Sequence, residues 1–188
     1  MRIGIDCDGV LRNLIPQLIK SIKQTHPQHA DKIGIPKSWE WEQWLPFWTG
    51  DETEKYLFED NYLDFFGVDC PPIKHSVEDW PKLRAWAIEN NHQLILVSAQ
   101  REHCKEPTRA WLKEWGFVGF DEIIFTHKKH LADVDILIDD SPSKLFKFKK
   151  HSINNGSAVC YKQTWNGQCH TKMMTIDRLS DIMGKVFG

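Results

Sequence analysis

The sequence predicts an α/β fold in which a Rossmann-like parallel sheet is flanked by helices and a helical segment is inserted after the first strand. Short apolar runs, typical of strands buried on both faces of a parallel sheet, alternate along the chain with helical patterns. Such alternation favours right-handed βαβ units. Near the N-terminus the stretch 26–75 has no strand pattern, which indicates an insertion into this series.

The first elements lead from a strand into the insertion. Residues 1–5 are β-leaning and end abruptly at Asp-Cys-Asp-Gly. Apolar residues recur at helical spacing over 11–24, and Pro16 falls in the first turn, where proline is tolerated. We expect a core formed by residues 1–14 and 76–188, and a lobe of short helices and loops formed by residues 15–75.

Helices and strands alternate in the rest of the chain. A helix is predicted to begin at Ser76, whose hydroxyl is expected to be its N-cap, and to end at Asn90-Asn91. The continuous apolar run 94–97 predicts a buried strand. The remaining predictions are a helix over 107–115 that Gly116 ends, strands over 122–125, 134–138 and 157–161, and a helix that begins near Pro142.

Composition restricts the class of protein. The chain has 188 residues, a formal net charge of −2 and 41% hydrophobic residues, which is typical of a water-soluble domain without a general attraction for nucleic acid. The five cysteines include no CxxC pair, which favours a reducing compartment. No apolar run has the length of a membrane span, and the first residues do not resemble a secretory signal. We therefore expect a cytoplasmic protein without a membrane partner; its oligomeric state is left open.

Polar residues follow four of the apolar runs at the point where each predicted strand ends. These places are residues 6–8, 98–101, 126–130 and 139–141. Ligands of open parallel sheets bind at the carboxyl ends of the strands, so these side chains are expected to meet there. Several carboxylates at one place repel one another unless a cation joins them, and oxygen ligands suit Mg²⁺. Lys129 and the Ser98 hydroxyl add groups that can contact phosphate.

These residues, taken in order, resemble the four motifs of the haloacid-dehalogenase superfamily. The motifs are Asp6-Cys7-Asp8-Gly9-Val10, then Val97-Ser98, then Lys129, then Ile138-Asp139-Asp140. Within the superfamily the chain is most similar to the 5′(3′)-deoxyribonucleotidases. Three features carry this similarity: the DxDGVL start, Asp64-Phe65-Phe66 ahead of a helix, and a lysine ten residues before the first aspartate of IDD.

The resemblance implies a phosphatase with a haloacid-dehalogenase-like core and a C1-type cap at residues 15–75. It implies a Mg²⁺-dependent hydrolysis of a small phosphomonoester, expected to be a nucleotide, through an aspartyl-phosphate intermediate. The implied roles are Asp6 as nucleophile and Asp8 as general acid; Gly9, Ser98, Ala99 and Lys129 as phosphate-binding residues; Asp6, Asp8 and Asp139 as Mg²⁺ ligands with Asp140 behind them; and Phe58, Phe65 and Phe66 as substrate-binding residues in the cap.

Other functions stay open at this point. Ser98 is followed by Ala99-Gln100-Arg101, whereas nucleotidases more often have a hydroxyl and a proline, and this sequence is similar to the second motif of polynucleotide 3′-phosphatases. A phosphatase of another small metabolite and a non-catalytic binding module are further alternatives. Because the charge is nearly balanced, a polymeric nucleic acid partner is not expected.

Several conspicuous patterns have simpler explanations. Five of the nine tryptophans lie between positions 39 and 80, where packing of a small lobe competes with stacking on a base. The basic run 144–150 is typical of a solvated helix face. The cysteine and histidine spacings match no common zinc module.

Overall fold

The computed structural model describes residues 1–185, and its centre is a six-stranded, fully parallel sheet. The strands are β1 (Arg2–Ile5), β2 (Gln93–Ser98), β3 (Glu122–Phe125), β4 (Ile136–Asp139), β5 (Ser157–Tyr161) and β6 (Met174–Ile176). Their order across the sheet is β3-β2-β1-β4-β5-β6. The predicted α/β class and the Rossmann-like parallel sheet are thereby confirmed, and the carboxyl ends of all strands lie at one edge.

The helices connect and flank these strands. The α-helices are α1 (Leu14–Thr25), α2 (Gly50–Lys55), α3 (Tyr62–Phe66), α4 (Lys74–Glu89), α5 (Lys105–Glu114), α6 (Pro142–His151) and α7 (Ile182–Lys185). A π-helical turn spans Tyr56–Asp60, and short 3₁₀ turns span Pro27–Lys32, Trp41–Gln43, Glu102–Cys104, Lys129–Leu131, Gly167–Cys169 and Leu179–Asp181.

The central strand β1 is buried on both sides because it pairs with β2 and with β4. Ile3 lies opposite Leu94 on one side and opposite Ile136 on the other. Ile3 and Ile5 are fully buried in the larger apolar cluster of the core. Burial of this extent is the reason why a strand of only four residues is fixed in register.

Several elements differ from the sequence prediction in their bounds, and one was not predicted. Helix α4 begins at Lys74, so Ser76 is not its N-cap; the buried Ser76 hydroxyl instead donates to the carbonyl of Val10 at 2.7 Å. Strand β4 begins at Ile136 and not at residue 134. Strand β6 was not predicted. It has three residues and pairs with β5 at the edge of the sheet. The last three residues of the expected core, 186–188, lie outside the described residues.

Residues 14–72, which we call the insertion, leave the core after β1 and return before α4. The insertion contains no strand, as predicted for residues 26–75, and its apolar residues form most of one cluster, to which Cys104 and Trp165 of the core also belong. Its two ends are hydrogen-bonded to each other: Asn13 donates its N–H to Pro71 at 2.9 Å, and Ile73 donates to Leu11 at 2.7 Å. Within residues 1–185, no helix has both the length and the apolar character needed to cross a membrane.

Candidate active site

The polar residues predicted from the strand ends do meet at one edge of the sheet. Asp6 follows β1, Asp139 ends β4, and Lys129 comes from the turn after β3. The Lys129 ammonium lies 2.7 Å from an oxygen of Asp6 and 2.7 Å from an oxygen of Asp139. All three side chains are buried. This edge therefore holds a compact, buried cluster of charges.

The turn after β1 is shaped by Gly9. The Cys7 N–H donates to the Asp6 carboxylate at 2.7 Å and holds it at the start of this turn. Gly9 has a φ of +78°, a conformation that other residues rarely adopt. A Cβ atom at this position would lie 1.9 Å from Asp140 Oδ2. Gly9 thus allows the Asp140 carboxylate to approach the loop that carries the other aspartates.

The cluster carries more negative charge than its one lysine offsets. Burial raises the pKa of Asp6 to about 7, an effect that Lys129 only partly opposes. Burial, together with repulsion from Asp139 and Asp6, also raises the pKa of Asp140 well above its usual value. Burial alone would lower the pKa of Lys129, but the Asp139 and Asp6 carboxylates outweigh it and raise that pKa. Buried carboxylates in this condition gain from a cation.

Three carboxylates can offer oxygens to one cation. Oxygens of Asp6, Asp139 and Asp140 all lie within 4.8 Å of one another. Oxygen-only donors of this kind fit Mg²⁺, which is bound through one or two carboxylates and otherwise keeps waters or phosphate oxygens. The residues present are therefore compatible with the expected metal.

Of the two neighbouring aspartates at the end of β4, Asp140 lines the cleft and Asp139 does not. Asp139 is fully buried, and both of its oxygens are engaged, one by Lys129 and the other by the Ser141 N–H at 2.7 Å. Asp140 lines the cleft, where its Oδ2 accepts a hydrogen bond from Trp165 at 3.0 Å. The sequence predicts Asp139 in direct contact with the metal and Asp140 behind it; this stays a prediction, because oxygens of both residues lie within 4.8 Å of an Asp6 oxygen.

Asp8 also lines the cleft, and both of its oxygens are held from behind. Arg12 donates to Oδ1 at 3.2 Å, and the Gln100 amide donates to Oδ2 at 2.6 Å. The Asp8 side chain is 18% exposed, so the carboxylate is accessible from the cleft although its orientation is fixed.

The two expected phosphate-binding residues after β2 differ in position. Ala99 lines the cleft. Ser98 is fully buried, and its hydroxyl accepts a hydrogen bond from the Gln100 amide at 3.2 Å. Ser98 therefore lies next to the residue that holds Asp8.

The cleft opens into a cavity of about 390 Å³ between the sheet edge and the insertion. One wall is largely apolar and comes from the insertion, and the other is polar and comes from the strand-end loops. The apolar wall is formed by Leu14, Trp39, Trp41, Leu57 and Phe58, and the polar wall includes Asp6, Asp8, Arg101, His127, Lys129 and Asp140.

Of the three phenylalanines expected to contact substrate, one lines this cavity. Phe58 does, whereas Phe65 and Phe66 are fully buried in the apolar cluster of the insertion. Phe66 stacks on Phe58 with the ring centroids 5.1 Å apart. Phe65 and Phe66 therefore pack in the interior and do not line the cavity, contrary to the prediction that they contact substrate. Trp41 also lines the cavity, although nothing in the sequence distinguished it from the other tryptophans.

Residues after β5 also contribute to the site and were not predicted. The Trp165 indole and the Asn166 amide both donate to Asp140, the amide to its carbonyl at 2.9 Å. Arg12 was missed as well, since a single arginine beside an apolar helical pattern has no distinctive spacing. The contacts of Trp165 and Asn166 join segments that are 25 and 26 residues apart in sequence, and no local pattern reveals them.

The sequence matches one family of proteins over most of its length. A model of the family described as 5′ nucleotidase, deoxy (pyrimidine), cytosolic type C protein matches residues 1–181. A 5′(3′)-deoxyribonucleotidase of Clostridium acetobutylicum is 28% identical over 152 residues, which are 80% of this chain and 79% of that protein.

Two solved structures show the same fold. A predicted phosphatase from Clostridium acetobutylicum superposes with a TM-score of 0.59 at 12% identity, covering 98% of this chain and 97% of the other. An L-2-haloacid dehalogenase from Xanthobacter autotrophicus superposes with a TM-score of 0.53 at 11% identity, covering 85% of this chain and 76% of the other.

Proposed function

We propose that this protein hydrolyses deoxyribonucleoside monophosphates with Mg²⁺. The premise is its family: the chain belongs to the 5′ nucleotidase, deoxy (pyrimidine), cytosolic type C family and is a phosphatase of haloacid-dehalogenase type. One observation carries the choice of substrate. The carboxylate edge and an aromatic wall face each other across a single cavity, so that a phosphate at Asp6 leaves its nucleoside against Trp39, Trp41 and Phe58.

In the proposed mechanism Asp6 and Asp8 divide the work. An Asp6 oxygen attacks phosphorus, the bond from phosphorus to the nucleoside oxygen breaks, and Asp8 gives that oxygen a proton. Water then attacks the aspartyl-phosphate, Asp8 takes a proton from it, and inorganic phosphate leaves as the Asp6 carboxylate is regenerated. Lys129 supports both steps because its charge offsets that of the phosphoryl oxygens.

Mg²⁺ would be held by the carboxylates of Asp6 and Asp140 and by the backbone carbonyl of Asp8. Its contribution is positive charge beside the phosphate oxygens. Asp139, whose oxygens are both engaged, keeps Lys129 in place. The raised pKa values of Asp6 and Asp140 support this assignment, because the cluster lacks a cation of sufficient charge.

The insertion is proposed to act as the cap of the site. It supplies the apolar wall, and it contacts the core loop after β2 through Arg101, which lies 3.0 Å from Glu54 and 3.1 Å from Glu59. A cavity of about 390 Å³ is within the range of small-ligand sites, and stacking on its rings contributes about 1–3 kcal/mol for each base. A cavity of this size suits a mononucleotide.

A comparison of substrates tests the proposal. The rate of phosphate release is measured for a deoxynucleoside 5′-monophosphate, the corresponding 3′-monophosphate and a 3′-phosphorylated oligonucleotide, each with Mg²⁺ and with excess chelator. We expect the mononucleotides to be preferred and the activity to require Mg²⁺. Asp6→Asn should abolish turnover, whereas Asp69→Asn, a change at an exposed carboxylate, should leave it unchanged.

Two outcomes would contradict the proposal. A preference for the oligonucleotide that weakens as salt is raised indicates an end-processing phosphatase. Undiminished turnover in excess chelator excludes the metal.

A further inference from the structure

Arg12 is an arginine in the hydrophobic interior, and its surroundings are unusual. The side chain is fully buried, with its guanidinium 4.6 Å from the ring centroid of Trp111 and 5.3 Å from that of Phe66. Its two terminal nitrogens donate to Asp8 at 3.2 Å and to the Thr108 hydroxyl at 3.1 Å. The one carboxylate that it pairs with among the described residues is therefore that of Asp8.

Gln100 holds the other Asp8 oxygen from a different part of the chain. Arg12 belongs to the loop after β1 and Gln100 to the loop after β2, so the two contacts reach Asp8 from separate strands. A carboxylate with both oxygens engaged keeps one rotamer. Its orientation is then set by two buried groups, Arg12 and Gln100.

Stability alone does not explain this arrangement. Removing an arginine from water is costly, and a well-packed apolar side chain between Trp111 and Phe66 would avoid that cost. The Arg12 Nε and the Gln100 carbonyl oxygen are both buried without a hydrogen-bond partner among residues 1–185. Each such atom is a further cost of folding. The feature that both side chains share is their contact with Asp8.

We propose that Arg12, together with Gln100, is a positioning residue that aims the Asp8 carboxyl group at the oxygen of the departing nucleoside. The inference rests on the proposed function, in which Asp8 gives a proton to that oxygen. A proton donor must lie within hydrogen-bond reach of its acceptor, and a small displacement lowers the rate substantially. Arg12 itself does not reach the substrate; it acts through Asp8.

The nature of the leaving group separates this role from a structural one. A nucleoside leaves as an alkoxide unless it is protonated, so its release depends on a well-aimed Asp8. The p-nitrophenolate ion leaves readily without a proton. A misplaced Asp8 carboxyl group should therefore lower the rate of nucleotide hydrolysis much more than the rate of p-nitrophenyl phosphate hydrolysis. General damage to the fold should lower both rates equally.

The experiment measures release of the leaving group in the first turnover, with Mg²⁺ present, for a deoxynucleoside 5′-monophosphate and for p-nitrophenyl phosphate. Arg12→Met should lower the nucleotide rate by at least about tenfold, which is less than the roughly 10²–10⁴-fold effect of a lost proton donor, and the aryl phosphate rate by less than about threefold. The KM for the nucleotide should change less than its kcat. Arg12→Lys, which keeps a cation but cannot reach both Asp8 and Thr108, should lie between the two.

Asp8→Asn is the reference that tests the proposed function separately. It should show the same selectivity with a larger loss. If Asp8→Asn is selective and Arg12→Met slows both substrates equally or neither of them, the inference about Arg12 is wrong while the role of Asp8 stands. If Asp8→Asn itself slows both substrates equally, the general-acid assignment fails, and the role of Arg12 fails with it.

Arg178→Met provides a control for the loss of an arginine that pairs with a buried carboxylate. Arg178 lies 2.6 Å from the buried Asp79 of α4. This variant should lose stability without changing the ratio of the two rates. Should Arg12→Met not fold, Gln100→Met removes the contact to the other Asp8 oxygen and has to show the same selectivity; a uniform effect there also contradicts the inference.

Discussion

At the scale of single residues, Asp139 and Asp140 show how neighbours in sequence acquire opposite environments. Asp139 is the last residue of β4 and points into the charge pair with Lys129, whereas Asp140 has left the strand and lines the cavity. The first carboxylate stabilises the fold, because it compensates a buried cation. The second has a raised pKa, because burial and the neighbouring carboxylates disfavour its ionised form, so that its ionisation opposes folding while the metal is absent.

Substitutions at the two positions should therefore change stability in opposite directions. Asp139→Asn breaks the buried ion pair with Lys129, which keeps Asp6 as its other charged partner, and is expected to lower the free energy of unfolding by about 3–5 kcal/mol. Asp140→Asn should raise the melting temperature of the metal-free protein, since 1 kcal/mol corresponds to about 2–4 °C in a chain of this size. Thermal unfolding with and without Mg²⁺ measures both effects. A lower melting temperature for metal-free Asp140→Asn would refute this account of the cluster.

The sequence predicted that the aspartates meet at the carboxyl ends of the strands, but it did not predict which side chains hold them in place. Aspartates that follow buried strands could be predicted to meet, because the ends of parallel strands share one edge. Whether Asp139 or Asp140 faces the cavity depends on where Lys129, Ser141 and Trp165 place their donors. Those positions follow from tertiary packing and have no local pattern in the chain.

At the scale of elements, the insertion uses its aromatic residues in two ways. Trp44 and Phe66 fill its interior, and Trp41 and Phe58 line the cavity. Amino-acid type alone does not distinguish the two groups. The short helices of the insertion lack a long amphipathic pattern, so the buried face could not be predicted.

The stacked pair Phe58 and Phe66 offers a matched test of this division. Phe58→Ala should raise the KM for a deoxynucleoside monophosphate by about tenfold with a smaller change in kcat, because a ring that contacts the base is lost. Phe66→Ala should instead lower the free energy of unfolding by about 3–5 kcal/mol. Steady-state kinetics and chemical denaturation measure the two effects. An unchanged KM for Phe58→Ala would contradict the assigned wall, and inhibition by inorganic phosphate serves as a control for the phosphate site.

Boundaries of elements were less predictable than their order. Strand β6 has only three residues and follows an irregular stretch, so no alternating pattern marked it. The start of α4 moved because Ser76 donates its hydroxyl to Val10 in the core and does not cap the helix. In both cases a contact with a distant segment outweighs the local preference.

At the scale of the whole molecule, the carboxylate cluster links pH and metal to stability. The pKa of Asp6 is raised to about 7 in the folded state, whereas an aspartate in an unfolded chain ionises near pH 4. Between these values the folded protein keeps a proton that the unfolded chain has released. This group therefore makes the metal-free protein less stable as pH rises from about 4 to about 7.

Mg²⁺ should reverse this trend, because it binds the ionised cluster. We expect saturating Mg²⁺ to raise the melting temperature more at pH 7.5 than at pH 5, since at pH 5 protons compete for the same oxygens. Thermal scans at the two pH values measure the difference. An equal increase at both would show that the metal binds elsewhere, and Asp6→Asn should remove most of the increase at pH 7.5.

The hydrogen-bonded ends of the insertion have a consequence for the history of such enzymes. Because residues 13 and 71 lie side by side, the core is closed behind the insertion whatever the length of chain between them. Evolution could therefore exchange this segment for a longer, shorter or differently shaped one while Asp6 and Asp8 kept their places, as insertions between adjacent chain ends are generally tolerated. The substrates of such enzymes can therefore diversify through the insertion while the residues that act on the phosphate stay the same.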